Sequence, residues 1–153
     1  MANAIDVSAY ILEQIGSVTT MKLQKLVFYS QVRYLITTGN PLFSDEIQAW
    51  ANGPVLPSLY RLHSGRFMIG KGFLGSAGSA DKLSSSEKEA VQYVVKKLGA
   101  LSGEELRGLS HEERPWLNAR EGYSPGARCN VPITVESIQD YYGSPECQNP
   151  VVR

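Results

Sequence analysis

An excess of charge of either sign is missing, since 15 Lys and Arg stand against 15 Asp and Glu. Nucleic-acid binders carry clustered cations that release counterions from phosphates, and the composition lacks that footprint. A basic face can exist, but this is not a basic protein. Cysteine is scarce: Cys129 and Cys147 stand late in the chain, among turn-rich residues that give no sign of an oxidising compartment, so both are expected reduced. With His63 and His111 as the only histidines and no Cys-x-x-Cys pair, a metal site has too few ligands at any recognisable spacing. Long apolar runs are lacking too. Leu26-Val27-Phe28-Tyr29 is short against the ~20 residues that span a bilayer, and no cation precedes Lys22 to begin an export signal. The expectation is a cytoplasmic protein with no cofactor, no metal and no membrane contact.

What is present is ordinary globular sequence. A chain of 153 residues has room for one domain with a real core. Val7, Ile11 and Ile15 share a stripe that predicts a helix over residues 5–15, stopped at Gly16. A second helix is predicted over 20–37, with Thr19 near its start. Leu23, Leu26, Val27 and Tyr34 form its main stripe, and Phe28, Tyr29, Val32, Leu35 and Ile36 extend apolar character around most of the circumference, as in a central helix. A short extended stretch ends at Trp50, Asn52-Gly53-Pro54 turns the chain, and Pro57 suits the first turn of a short helix carrying Leu59 and Leu62.

The Gly- and Ser-rich stretch 64–86 reads as a loop or hairpin excursion with one short strand at 66–69. Ser84 and Glu87 form a capping box before Val91, Val94, Val95 and Leu98, and the Ser-x-x-Glu spacing recurs at Ser102/Glu105 and Ser110/Glu113. Pro115 opens a helix of one or two turns over 116–120. Thr134 caps a last helix in which Ile138, Tyr141 and Tyr142 share a face. The fold class expected is mainly α-helical, α+β with a small β element, as one domain over 1–143 followed by a flexible tail over 144–153.

Several near-motifs fail on context. Gly70-Lys71-Gly72-Phe73-Leu74-Gly75 spells a dinucleotide fingerprint, yet no helix opens at Gly75 and Val95 stands where an acidic ribose ligand belongs. His111-Glu112-Glu113-Arg114 begins like a metalloprotease helix, but Pro115 replaces the second histidine. His111 and Glu113 then read as helix capping, and His63 as a cation near a helix C-terminus. Ser58, Ser64 or Cys129 beside a histidine would make a nucleophile site, but no Gly-x-Ser-x-Gly elbow is present. Lys22, Lys25 and Arg33, followed by Arg61 and Arg66, can form a basic strip for DNA phosphates, the alternative being a solvated helix face.

Eight tyrosines and two tryptophans give large contact area at few rotatable bonds, the material of interface hot spots. Trp50 and Trp116 are expected near the core. Tyr60, Tyr123, Tyr141 and Tyr142 are expected at the surface.

Three segments together resemble the Panacea domain proteins, SocA-like antitoxins of bacterial and phage toxin–antitoxin pairs. The first is Lys22-Leu23-Gln24-Lys25-Leu26. The second runs from Ala49-Trp50 through Gly53-Pro54-Val55 to Tyr60. The third is His111, Glu113 and Pro115-Trp116, with Ala119-Arg120 after them. The resemblance covers about residues 5–120, in order. It implies a compact, mostly helical domain without catalytic activity that neutralises a toxin encoded beside it by direct protein contact. A DNA-binding autoregulator is the alternative. Shared scaffold residues cannot specify a partner, so contacts are expected in variable exposed segments, residues 64–83 and those after Gly122. Tyr60, Arg61, Phe67, Phe73, Tyr123 and Tyr142 are the expected toxin-facing residues.

Overall fold

The computed structural model describes residues 1–153. Seven α-helices are arranged around the second of them, which is buried: α1 Ala4–Ile15, α2 Thr20–Thr38, α3 Pro57–His63, α4 Ser85–Leu98, α5 Gly103–His111, α6 Arg114–Ala119 and α7 Val135–Tyr142. Four short strands complete it: β1 Val18–Thr19, β2 Gln48–Trp50, β3 Gly53–Val55 and β4 Met68–Ile69. The mainly helical class with a small β element is what the patterning predicts.

Local chemistry sets the helix ends. Asn3 and Asp6 form a capping box on α1, and Gly16, at φ 74°, ends it in a conformation that side-chain-bearing residues avoid. The Thr19 hydroxyl accepts from Lys22 N to start α2. Capping boxes at Ser84/Glu87 and Ser102/Glu105 start α4 and α5. Ser110/Glu113 is not one: Ser110 lies inside α5, where its hydroxyl donates to Arg107 O at 2.9 Å, and Glu113 precedes α6 with no capping bond from its side chain. Glu113 has been drawn into the core instead.

α2 buries eleven of its residues and packs against α1, α4, α5 and α7. Two glutamines two turns apart on it act as backbone surrogates. Gln24 Oε1 accepts from Leu56 N at 2.8 Å and its Nε2 donates to Leu56 O at 3.2 Å, fixing the start of α3. Gln31 Oε1 accepts from Leu42 N at 2.6 Å while its Nε2 donates to Phe43 O at 2.9 Å, fixing the loop after α2. Buried amides are tolerated because every bond is satisfied.

β2 and β3 form an antiparallel hairpin with Ala49 opposite Pro54 and Trp50 opposite Gly53, so Gly53-Pro54 belongs to a strand rather than to the turn. The strand expected at 66–69 does not make a hairpin of its own. It pairs with β1, Val18 opposite Ile69 and Thr19 opposite Met68, which ties the Gly- and Ser-rich excursion to the start of α2.

The C-terminus departs most from expectation. Residues 144–153 are packed, with Cys147, Asn149 and Val151 all buried and a 3₁₀ turn at Pro150–Val152 against α2 and α4. Arg33 Nη1 donates to Val151 O at 3.1 Å and Arg153 Nη2 to Cys147 O at 2.7 Å. Both cysteines are free thiols.

Candidate recognition surface

Most of the residues that carry the family resemblance lie inside, Tyr60 being exposed and Lys22, Trp50, His111 and Trp116 half-buried. Leu23, Leu26, Pro54, Val55 and Pro115 are buried. Lys25, only 1% exposed, makes one long contact, 3.4 Å to Pro54 O, and burial, helped by the Arg107 charge, lowers its amine to a pKa of about 7. Gly53 is required beside it: at φ 112°, a Cβ there would stand 2.6 Å from Lys25 Cε and 2.9 Å from the Ser110 hydroxyl. The lysine and the Gly-Pro start of β3 are therefore two halves of one packing contact.

Glu113 is the second buried charge. Its Oε1 accepts from the Tyr29 and Tyr142 hydroxyls at 2.5 and 2.6 Å, and its Oε2 from Asn149 Nδ2 at 2.8 Å. Burial raises the carboxyl's pKa against those three bonds, and the same burial puts both phenols well above their usual range. Tyr142 is thus a core residue, not a surface one. His111 stacks on Trp116, centroids 3.8 Å apart, with Nε2 buried and unpartnered, and burial ahead of the nearby Arg107 charge lowers its pKa to about 4. His63 is no solvated cation at the helix end. It is buried beside Gln24, Nε2 to Nε2 at 3.0 Å, and burial lowers its pKa.

The other sequence candidates do not assemble. Ser58 donates to Asp45 at 2.7 Å rather than to a histidine, Ser64 is exposed and Cys129 is buried. No group of three or more His, Cys, Asp or Glu residues is placed to hold a metal. The basic strip is dismantled: Lys25 is interior, the Lys22 ammonium donates to Gly99 O at 2.5 Å, and Arg33 lies over the Tyr93 ring at 3.7 Å. Residues 70–77 form turns with a 3₁₀ segment at Gly75–Ala77, not a phosphate-binding helix start.

Outside this interior, four of the seven exposed large apolar side chains fall in one short stretch of chain, the α3–β4 corner. Tyr60 (38% exposed) and Leu62 (39%) close α3, and Phe67 (77%) and Met68 (50%) open β4. Arg61 and Arg66 are exposed among them, and the sequence from Ile47 to Ala80 contains no Asp or Glu. The corner is held from beneath. Gln24 anchors the start of α3, Trp50 meets Tyr60 edge-on at 4.9 Å, and Thr20 N donates to Phe67 O at 2.9 Å. Phe73 is half-buried, with the Arg66 guanidinium 4.9 Å from its ring. Tyr123 is exposed, but beyond α6. Trp50 and Trp116 are half-buried, spanning core and surface.

A groove of about 660 Å³ lies between the end of β2 and residues 126–130. Arg120, which the sequence suggests only as a motif neighbour, creates it. Its Nη1 donates to Ala49 O at 3.0 Å and its Nη2 to Ala127 O at 2.8 Å.

The protein thus holds its buried ionisable groups in structural contacts and exposes apolar side chains at the α3–β4 corner. Its family follows from comparison with known proteins. The model of the SocA-like antitoxin family, Panacea domain, matches residues 23–117, and the chain belongs to that family. It is 28% identical over 135 residues to Antitoxin SocA of Caulobacter vibrioides (strain NA1000 / CB15N), a match covering 82% of this chain and 72% of that protein. No solved structure matches. No helix is long and apolar enough to cross a membrane.

Proposed function

We propose that this protein is an antitoxin that neutralises a cognate toxin by direct contact, without making or breaking bonds, and that the α3–β4 corner is its principal grip. The observation that carries this reading is the concentration of Tyr60, Leu62, Phe67 and Met68, exposed and rigidly backed, around Arg61 and Arg66. Monomeric surfaces seldom gather apolar side chains in this way unless they bind something. Aromatic anchors ringed by arginine suit a partner face that is apolar at its centre and acidic at its rim. A standard interface of ~800 Å² per partner would cover the corner. Family membership supports the antitoxin role in general. The DNA-regulator alternative loses the feature that motivated it, because Lys22, Lys25 and Arg33 are engaged within the fold.

Co-expression with the product of the neighbouring gene tests the reading. The two chains should elute together on size exclusion, and growth arrest by that product should be relieved. Separate elution together with unrelieved arrest would refute it.

A further inference from the structure

The groove beside β2 is an interrupted sheet. Ala49 N donates to Val131 O at 2.9 Å and Ile133 N to Ile47 O at 2.8 Å, with Gln48 opposite Pro132, so 131–133 runs as a third strand on the hairpin. The next bond of the ladder would run from Val131 N to Ala49 O. Arg120 occupies that carbonyl, and by also holding Ser124 O and Ala127 O it draws the chain away from β2. On the side of β2 that faces β3, Trp116 Nε1 donates to Trp50 O at 2.8 Å. Past that wedge, the N–H and C=O groups of Arg128, Cys129 and Asn130 make no hydrogen bond within the protein. The three residues still alternate as a strand does, Arg128 out, Cys129 in, Asn130 out.

An unpaired extended edge beside a groove is a template for another strand. The lining selects the occupant: Gln48, Asn52 and Asn130 bring amides, Trp50 an indole whose N–H is already given to Gln48 Oε1 at 2.8 Å, Arg128 is the single charge, and no carboxylate lines the groove. Arg128 is exposed and has no ion-pair partner. Glu46, which accepts from Gln48 Nε2, lies outside that lining. We infer that this groove takes an extended, acidic segment of the toxin, which pairs with the backbone of residues 128–130 and places a carboxylate on Arg128. The inference rests on the toxin-binding reading and adds a second contact to the α3–β4 corner.

The test separates the two. The whole antitoxin is titrated with the peptide (Thr-Glu)₄ and, in parallel, with (Thr-Lys)₄, following backbone amide shifts. The acidic peptide should move the Arg128, Cys129 and Asn130 amides and slow their exchange, and the basic one should not. R128E, at an exposed position, should leave the fold intact and weaken the acidic peptide roughly five- to tenfold. In complex with the neighbouring gene's product, the same variant should bind with a measurable but smaller loss than a variant of the corner. Equal shifts from both peptides, shifts confined to the Arg61 and Arg66 region, or unchanged affinity in R128E would overturn the groove assignment while leaving the corner's role intact. Absence of any complex with wild-type protein would instead count against toxin binding itself.

Discussion

Two buried ionisable side chains face opposite situations in the same core. Glu113 joins four segments: Tyr29 from α2, Tyr142 from α7, Asn149 from the C-terminal stretch, and its own position before α6. Lys25 has one contact at 3.4 Å and no carboxylate. The first is a clamp whose value lies in its partners. The second is an amine kept by packing, its stem filling the space that Gly53 leaves open. A buried polar group stabilises only through what satisfies it, and an unsatisfied one is tolerated by giving up its charge. The two residues belong to the first and third segments of one family pattern, yet substitution should treat them differently.

The largest effect is expected at the clamp. Glu113→Ala strands two phenols and an amide in the interior, and should lower stability by about 3 to 5 kcal/mol in urea unfolding, since each unsatisfied buried donor costs roughly 1–3 kcal/mol. Glu113→Gln keeps an acceptor for the tyrosines and should lose clearly less. Equal losses would mean that shape rather than hydrogen bonding decides.

A smaller cost is expected where the lysine stem passes. Gly53→Ala combines an unfavourable φ with a 2.6 Å approach to Lys25 Cε, and about 2 kcal/mol of destabilisation is expected from strain of that kind. Lys25 can yield, so the double variant with Lys25→Ala should show coupling. Simple additivity would separate the two residues.

A third effect is a slope rather than a fixed loss. Unfolded, Lys25 holds its proton up to its ordinary pKa of 10.5, whereas folded it loses the proton near 7. Between those values the unfolded state binds more protons, so stability rises with pH across the window. Lys25→Met should remove that rise and be neutral or stabilising at pH 7, because a buried amine is replaced by an apolar chain of similar length. A wild-type profile that is flat or falling between pH 7 and 10 would contradict the assignment.

The helices were legible where local chemistry decides them. Thr19, Ser84, Ser102 and Thr134 cap as their spacing predicts, and the apolar circumference of α2 announces a central helix. What failed depended on contacts distant in sequence. Lys22 and Lys25 read as one polar edge because three-residue spacing on a helix is all a sequence displays; the arrival of Gly53 and Pro54 over Lys25 is a tertiary fact. The C-terminal stretch looked frayed because Ser, Pro, Glu and Asn dominate it. Its anchors, Val151 under Arg33 and Asn149 on Glu113, become visible only once α2 and α6 are in place. Tyr142 failed with it, since an isolated amphipathic turn cannot tell a tyrosine facing water from one facing a buried carboxylate.

The α3–β4 corner was partly legible. Tyr60, Arg61 and Phe67 are exposed where expected, while Leu62 and Met68, expected only as helix and strand residues, add to the face. The Arg120 wedge left no trace in the sequence beyond its place after Ala119.

The central claim is that the buried motif residues build the scaffold while the α3–β4 corner, which includes the exposed motif residue Tyr60, grips. The most direct test is the affinity of the neighbouring gene's product for Phe67→Asp, a change at a side chain 77% exposed. The account predicts an unfolding midpoint within about 0.5 kcal/mol of wild type, as at ordinary surface sites, with binding weakened by more than about 30-fold, the scale of an interface hot spot. Wild-type affinity in a folded Phe67→Asp protein would contradict it.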